Sequence, residues 1–203
     1  ISKLFRQDSG QTFFNAIQNI LNSRTPYRRT RSTRQRESAV LVPIFKRQDD
    51  YFLVFTKRAA SVRYHRGHIC FPGGVVKKQD QNFEQAALRE AAEKIGGLRE
   101  DVKMLGPLDD SLTYVPPFLI HRYGRVIPHP YAFAVNPHEV DRIIEVPLGH
   151  LTPHADPADD WYGLDDDRDP RFPDFPYAGE TIWGTTASIT ANFLGILKKN
   201  RVV

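Results

Sequence analysis

Apolar residues recur at helical spacing in SGQTFFNAIQNILNS (9–23). Phe13 or Phe14, Ile17, Ile20 and Leu21 share one face, and Ser9 or Thr12 can cap the start. The period then shortens. ESAVLVPIF (37–45) and YFLVFTK (51–57) are rich in β-branched and aromatic residues and flank the turn RQDD (47–50), which predicts a hairpin. ICFP (69–72) leads into Gly73-Gly74, read as a turn. A second helix is predicted over 83–95, opened by Asn82 with Gln85 three residues on and stopped by Gly96-Gly97. VKMLGPL (102–108) and VIPHPYAFAV (126–135) read as further strands, with prolines near edges or bends. Residues 152–177 form an Asp- and Pro-rich loop. GETIWGTTASITANFLGILKK (179–199) predicts a short strand and a closing helix, with Ile189, Phe193, Ile196 and Leu197 as its apolar stripe. This order predicts an α/β fold, a mixed sheet with helices packed on its faces.

A chain of 203 residues with 40% hydrophobic positions can bury one good core. The division expected is an N-terminal helix and basic arm over 1–36 and one domain over 37–203. The apolar runs are too short to cross a bilayer, so no membrane partner is expected. The single cysteine, Cys70, excludes internal disulfides and a cysteine-based zinc site. It lies in an apolar run, is expected as a buried core thiol, and fits an intracellular compartment. Charge changes the picture at the N-terminus. Residues 1–36 carry eight Lys or Arg against Asp8 alone, whereas the remainder carries 20 basic and 23 acidic residues. SRTPYRRTRSTRQR (23–36) has three readings: a solvated arm, a contact to RNA or a protein complex, and the remnant of a mitochondrial presequence.

On the helix at 83–95, Glu90, Glu93 and position 94 project together, while Leu88, Ala91 or Ala92, and Ile95 face a core. Two converging glutamates are hard oxygen ligands of the kind Mg²⁺ takes. A glycine pair lets backbone approach a phosphate or metal closely. Together they suit metal-assisted cleavage of a phosphoanhydride. On these residues alone a solvent-facing charged helix stays open as the alternative.

The wider constellation resembles the Nudix box, Gly-x5-Glu-x7-Arg-Glu-U-x-Glu-Glu-x-Gly-U with U aliphatic. Gly74, Asp80, Arg89, Glu90, Glu93 and Gly96 match in turn, with one residue more between Asp80 and Arg89 than the general box. That spacing resembles the coenzyme A pyrophosphatase branch. In LVFTKRAASVRYHRGHICFPGG (53–74), Thr56, Arg58, Val62, His65, Gly67, Phe71, Pro72, Gly73 and Gly74 fall in that branch's register. HEVDRIIEVPLGHL (138–151) and GETIWGTTASI (179–189) resemble two later segments. The resemblance covers about residues 37–199. It implies a Nudix α/β/α sandwich with a mixed β-sheet, and a hydrolase of a nucleoside-diphosphate-linked small molecule such as coenzyme A. It further implies Mg²⁺ or Mn²⁺ held by Glu90, Glu93 and the carbonyl of Gly73 or Gly74, with Arg89 orienting the glutamates. Arg58, His65, His68, Gly73 and Gly74 would face substrate. Glu139 is a candidate metal ligand or base, with a plain surface acid as its alternative. A mitochondrial or peroxisomal address is compatible with this reading.

The departures matter as much. Lys94 stands where the box has Glu. It could contact substrate phosphate, or the site could run with fewer ions. A third reading is a domain kept for shape, in which Glu90 and Lys94 form a favourable i, i+4 pair of about 0.3–0.5 kcal/mol. The alternative functions are then a structural or RNA-contacting subunit of a mitochondrial ribonucleoprotein, or a pyrophosphohydrolase acting on RNA 5′ ends. His68 replaces the branch's Gln, Ile69 and Cys70 replace Val and Ser, and Gly97 replaces an aliphatic residue. His65 and His68 lack the glutamate of a His-Glu-x-x-His zinc site. DDDRD (165–169) begins like a Ca²⁺ loop, but Pro170 and Pro176 take its glycine and glutamate positions. Trp183 is expected in the core between strand and helix, with a substrate contact as the alternative that the resemblance leaves open.

Overall fold

Alternation along the first long strand sets the layers. In the computed structural model, which describes residues 11–97, 103–114, 116–154 and 174–203, β1 (Arg36–Arg47) is buried from Ser38 to Phe45. Val40, Val42 and Ile44 join one core; Ala39, Leu41 and Phe45 join another, because successive side chains on a strand face opposite ways. β2 (Asp50–Arg58) divides likewise, Leu53 and Phe55 against Phe52 and Val54. Six more strands complete the main sheet among the described residues: β3 (Ile69–Cys70), β4 (Gly73–Val75), β5 (Lys103–Pro107), β6 (Ser111–Tyr114), β7 (Pro117–Val126) and β8 (Val140–Pro147). β1 runs parallel to β7 and antiparallel to β2 and β4, so the sheet is mixed. β9 (Phe175–Tyr177) and β10 (Glu180–Ile182) form a separate hairpin.

Helices cover both faces. α1 (Gln11–Ser23) brings Phe14, Ile17 and Leu21 to the first core, and α2 (Phe83–Ile95) brings Ala86, Ala87, Leu88, Ala91 and Ile95 to the second. α3 (Leu148–Leu151) follows β8, and α4 (Gly184–Lys199) adds Ala187, Phe193 and Leu197 to the first core. This is the α/β/α sandwich that the pattern and the Nudix resemblance predict. Ile17 and Leu21 are fully buried, each contributing about 1.5–3 kcal/mol.

Several expectations fail for physical reasons. Residues 126–135 hold no strand beyond Val126: Pro128 and Pro130 lack the N–H a ladder needs. The strand lies just before, in β7, where His121, Arg122 and Arg125 disguise a buried segment. Cys70 is half-buried rather than a core thiol, its Sγ 3.3 Å from Thr56 Oγ1. Trp183 is 45% exposed rather than in the core. The Asp-rich run at 165–169 lies outside the described residues.

Part of the basic segment is bound into the fold. Asp109 and Asp110 are buried, and buried carboxylates need cations or donors. Arg24 pairs with Asp109 Oδ1, to which Tyr27 N also donates at 2.6 Å, and Asn192 Nδ2 donates to Oδ2 at 3.0 Å. Arg28 Nη1 donates to Asp110 Oδ1 at 2.7 Å and the Arg29 N–H to Oδ2 at 3.1 Å, with His121 Nδ1 3.1 Å from Oδ1. Burial alone would raise both carboxyls. For Asp109 the hydrogen bonds led by Arg24, and for Asp110 those led by His121, outweigh it and hold both below the usual carboxylate range. Depressed acids stabilise the fold above their unfolded values near pH 4, and that stability is lost as pH falls through the lower folded values. Arg24→Ala is therefore expected to cost about 2 kcal/mol at pH 7 in urea unfolding, with the difference shrinking below about pH 4 as Asp109 protonates. An unchanged midpoint at pH 7 would show that the segment does not bind the sheet.

Candidate functional site

The site forms where α2 lies across β4. Gly73 and Gly74, expected in a turn, instead pair as strand β4 with Val40 and Ala39 of β1. The glycines are required by proximity. A Cβ on Gly73 would strike the Ala39 carbonyl oxygen and lie 2.6 Å from Val40 Cα; one on Gly74 would strike Glu90 Oε2 and lie 2.5 Å from its Cδ. Strand alternation also separates the two carbonyls. That of Gly74 accepts from Ser38 Oγ at 2.7 Å, while that of Gly73 accepts from Lys94 Nζ of α2 at 2.7 Å.

α2 starts as the sequence predicts, with Asn82 Oδ1 accepting from Gln85 N at 2.8 Å, and ends at Gly96, whose φ is 87°. Glu90, Glu93 and Lys94 share a side but not an environment. The Glu90 and Lys94 side chains are 10% and 9% exposed, whereas Glu93 at the rim is 46% exposed. Arg89 organises the carboxylates. Its Nε and Nη2 grip Asp80 at 2.7 and 2.8 Å, and Nη2 also donates to Val75 O at 3.0 Å. Its Nη1 donates to Glu90 Oε1 at 2.7 Å and Glu93 Oε1 at 3.1 Å. The Arg89 bonds pull Asp80 down to about 2, and Asp80 in turn raises the guanidinium further above its ordinary value. Burial would raise Glu90; the hydrogen bond and charge of Lys94, with those of Arg89, more than offset that and hold its carboxyl low.

Lys94 is the hub on the other side. Its Nζ donates to Gly73 O at 2.7 Å and Glu90 Oε2 at 2.9 Å, and lies 3.4 Å from Glu139 Oε2. Glu139 arrives through the segment before β8: Asn136 N donates to Lys94 O, and Ala134 N to Ile95 O, tying that segment to the end of α2. Lys77, which carried no periodic signal because it lies between β4 and α2, adds a third cation, 3.4 Å from Glu93 Oε2 and 3.7 Å from Glu90 Oε1.

The remaining candidates gather beside Glu139. Arg58 pairs in register with Val140, and Ala59 N donates to Glu139 O. Arg58 Nε donates to Tyr64 O, and its backbone brackets the loop through His68 O and Gly67 N. The His65 and His68 rings lie tilted to one another with centroids 5.1 Å apart, and the His68 ring lies 4.7 Å from that of Trp183. Burial, then the charges of His65 and Arg58, lowers the His68 pKa. The sequence reading thus named both groups, with Trp183 as an alternative substrate contact, but missed Lys77.

A divalent cation, which the Nudix resemblance implies, does not fit these residues at their point of convergence. The oxygens of Gly73, Glu90 and Glu139 surround an ammonium instead. Among the described residues no group of three or more His, Cys, Asp or Glu side chains is arranged to hold a metal ion.

A NUDIX domain family model matches residues 35–166. The chain is 34% identical over 164 residues to a Nudix hydrolase, NudL, of Photorhabdus laumondii, covering 78% of this chain and 83% of that protein. It is 35% identical over 158 residues to NudL of Pectobacterium atrosepticum, covering 76% and 79%. A crystal structure of a MutT/nudix family protein from Enterococcus faecalis superposes with a TM-score of 0.56 at 11% identity, over 96% of this chain and 71% of that one, which bears on the fold alone.

Proposed function

We propose a function from an established premise: the chain belongs to the Nudix family. It hydrolyses a diphosphate linkage in a nucleotide-type substrate, with coenzyme A and its esters as the first class to test. What carries the reading is the single grip of Arg89 on Asp80, Glu90 and Glu93, which fixes two helix carboxylates beside β4. Water attacks one phosphorus, and the bond from that phosphorus to the bridging oxygen breaks. Glu93, at the exposed rim, accepts the proton of that water. Glu90, with one oxygen on Arg89 and the other on Lys94, holds its neighbours in place. Arg58, His65, His68 and Trp183 offer cations and aromatic faces suited to phosphate and base. Coenzyme A is favoured by the motif from Thr56 to Gly74. The family implies Mg²⁺ or Mn²⁺, whereas the convergent oxygens of Gly73, Glu90 and Glu139 already hold Lys94.

Lys94 also favours a second reading, a Nudix domain that binds such a ligand without cutting it. RNA contact through residues 23–36 has weaker support, since Arg24 and Arg28 are committed to Asp109 and Asp110. Coenzyme A, NADH, ADP-ribose and 5′-triphosphorylated RNA, each with Mg²⁺, Mn²⁺ or EDTA, form the test panel. Release of a phosphorylated fragment from one of them is expected, falling roughly a hundredfold in Glu93→Gln. No turnover across the panel would favour the second reading.

A further inference from the structure

We propose that the Lys94 ammonium is the resident cation of this site, filling the position where the Gly73 carbonyl, Glu90 and Glu139 converge and excluding a divalent metal from it. An ammonium has three N–H donors, and three oxygens meet Nζ at 2.7, 2.9 and 3.4 Å. The first two lengths are those of N–H···O bonds and the third that of an ion pair, rather than the 2.0–2.1 Å or so of Mg²⁺ coordination. The lysine is not a surface side chain swung in by chance: it is 9% exposed, and a Cβ built on Gly74 would lie 3.0 Å from its Nζ. The remaining oxygens of Glu90 and Glu93 are also engaged. Arg89 takes Glu90 Oε1 and Glu93 Oε1, and Lys77 approaches Glu93. Four carboxylates therefore meet two buried cations, Arg89 and Lys94, and the more exposed Lys77, and a divalent ion would enter against the Lys94 charge. In one respect this deepens the hydrolase reading and rests on it: any turnover proceeds without a divalent ion at this position. The occupancy itself does not depend on that reading.

The test is a Mn²⁺ titration followed by electron paramagnetic resonance, with melting temperature as a second readout, on the wild type, Lys94→Glu and Glu90→Gln. The wild type is expected to take up no stoichiometric Mn²⁺, and its melting temperature to be the same in MnCl₂ as in EDTA. Lys94→Glu replaces the cation by a fourth oxygen ligand. It is expected to bind one Mn²⁺ at least about tenfold more tightly than the wild type and to melt higher when the ion is present. The proposal is overturned if the wild type binds one Mn²⁺ within about threefold of the Lys94→Glu affinity. Should Lys94→Glu not fold, the wild type and Glu90→Gln decide: wild-type binding abolished by Glu90→Gln overturns the proposal, and no stoichiometric wild-type binding supports it. Absence of turnover across the diphosphate panel, with a wild type that takes no Mn²⁺, would sink the hydrolase reading and leave Lys94 as the resident cation.

Discussion

Lys94→Met is expected to lower stability by about 3 kcal/mol at pH 7, because removing one partner of a buried ion pair strands the other. The methionine keeps most of the volume and removes the ammonium. Glu90 Oε2 and the Gly73 carbonyl then lose their donor, while Arg89 still holds Glu90 Oε1, so the loss falls at the lower end of the range for broken buried pairs. For a chain of this size the melting temperature should drop by about 6–12 °C. The pH dependence gives a second handle. In the wild type the Glu90 carboxyl is held low, so its contribution is present above its unfolded value and is lost as pH falls through the folded one. Without Lys94, burial pushes that carboxyl upward, and protonation relieves the stranded charge. The gap between variant and wild type should therefore be widest near pH 7 and narrow toward pH 4. Equal stability at pH 7, measured by urea unfolding, would mean that the ammonium does not sit among these oxygens.

Gly73→Ala is expected to be at least as damaging, costing about 3 kcal/mol or failing to yield soluble protein. The added methyl meets backbone, not a movable side chain. It strikes the Ala39 carbonyl and lies 2.6 Å from Val40 Cα, so β4 would have to leave the central strand of the sheet. Gly74→Ala provides the contrast. There the obstruction is the Glu90 carboxylate and the Lys94 ammonium, both side-chain ends that can shift. It should cost clearly less stability while disturbing the carboxylate cluster. Reversal of that order in chemical denaturation would contradict the β1–β4 register.

Both expectations depend on neighbours distant in sequence, and that divides what could be read from the chain. The α2 helix was legible to its ends. Asn82 caps it and Gly96 stops it through interactions within a few residues, and the spacing of Leu88, Ala91 or Ala92, and Ile95 states which side is buried, with Ala91 the alanine in the core. The hairpin of β1 and β2 was legible for the same local reason, as were the α4 stripe and the Arg89–Glu90–Glu93 constellation. The pairing of Glu90 with Lys94 followed from i, i+4 spacing alone. What spacing could not state was that the pair is buried. The value of a surface pair therefore does not apply.

The sequence by itself determined α1, the β1–β2 hairpin, α2 and α4, the Nudix resemblance and the identity of most residues in the cluster, because each rests on periodicity, capping or motif spacing within a short stretch. Tertiary structure alone decided that Gly73-Gly74 is a strand and not a turn, and that Trp183 is exposed. It also decided that the basic segment is tied to Asp109 and Asp110. It alone brought Gly73 and Glu139, 66 positions apart in the numbering, to the same ammonium. The physical reason is that charge and burial at a point depend on every chain segment passing it. No local pattern records which carboxylate, carbonyl or cation the fold will bring there.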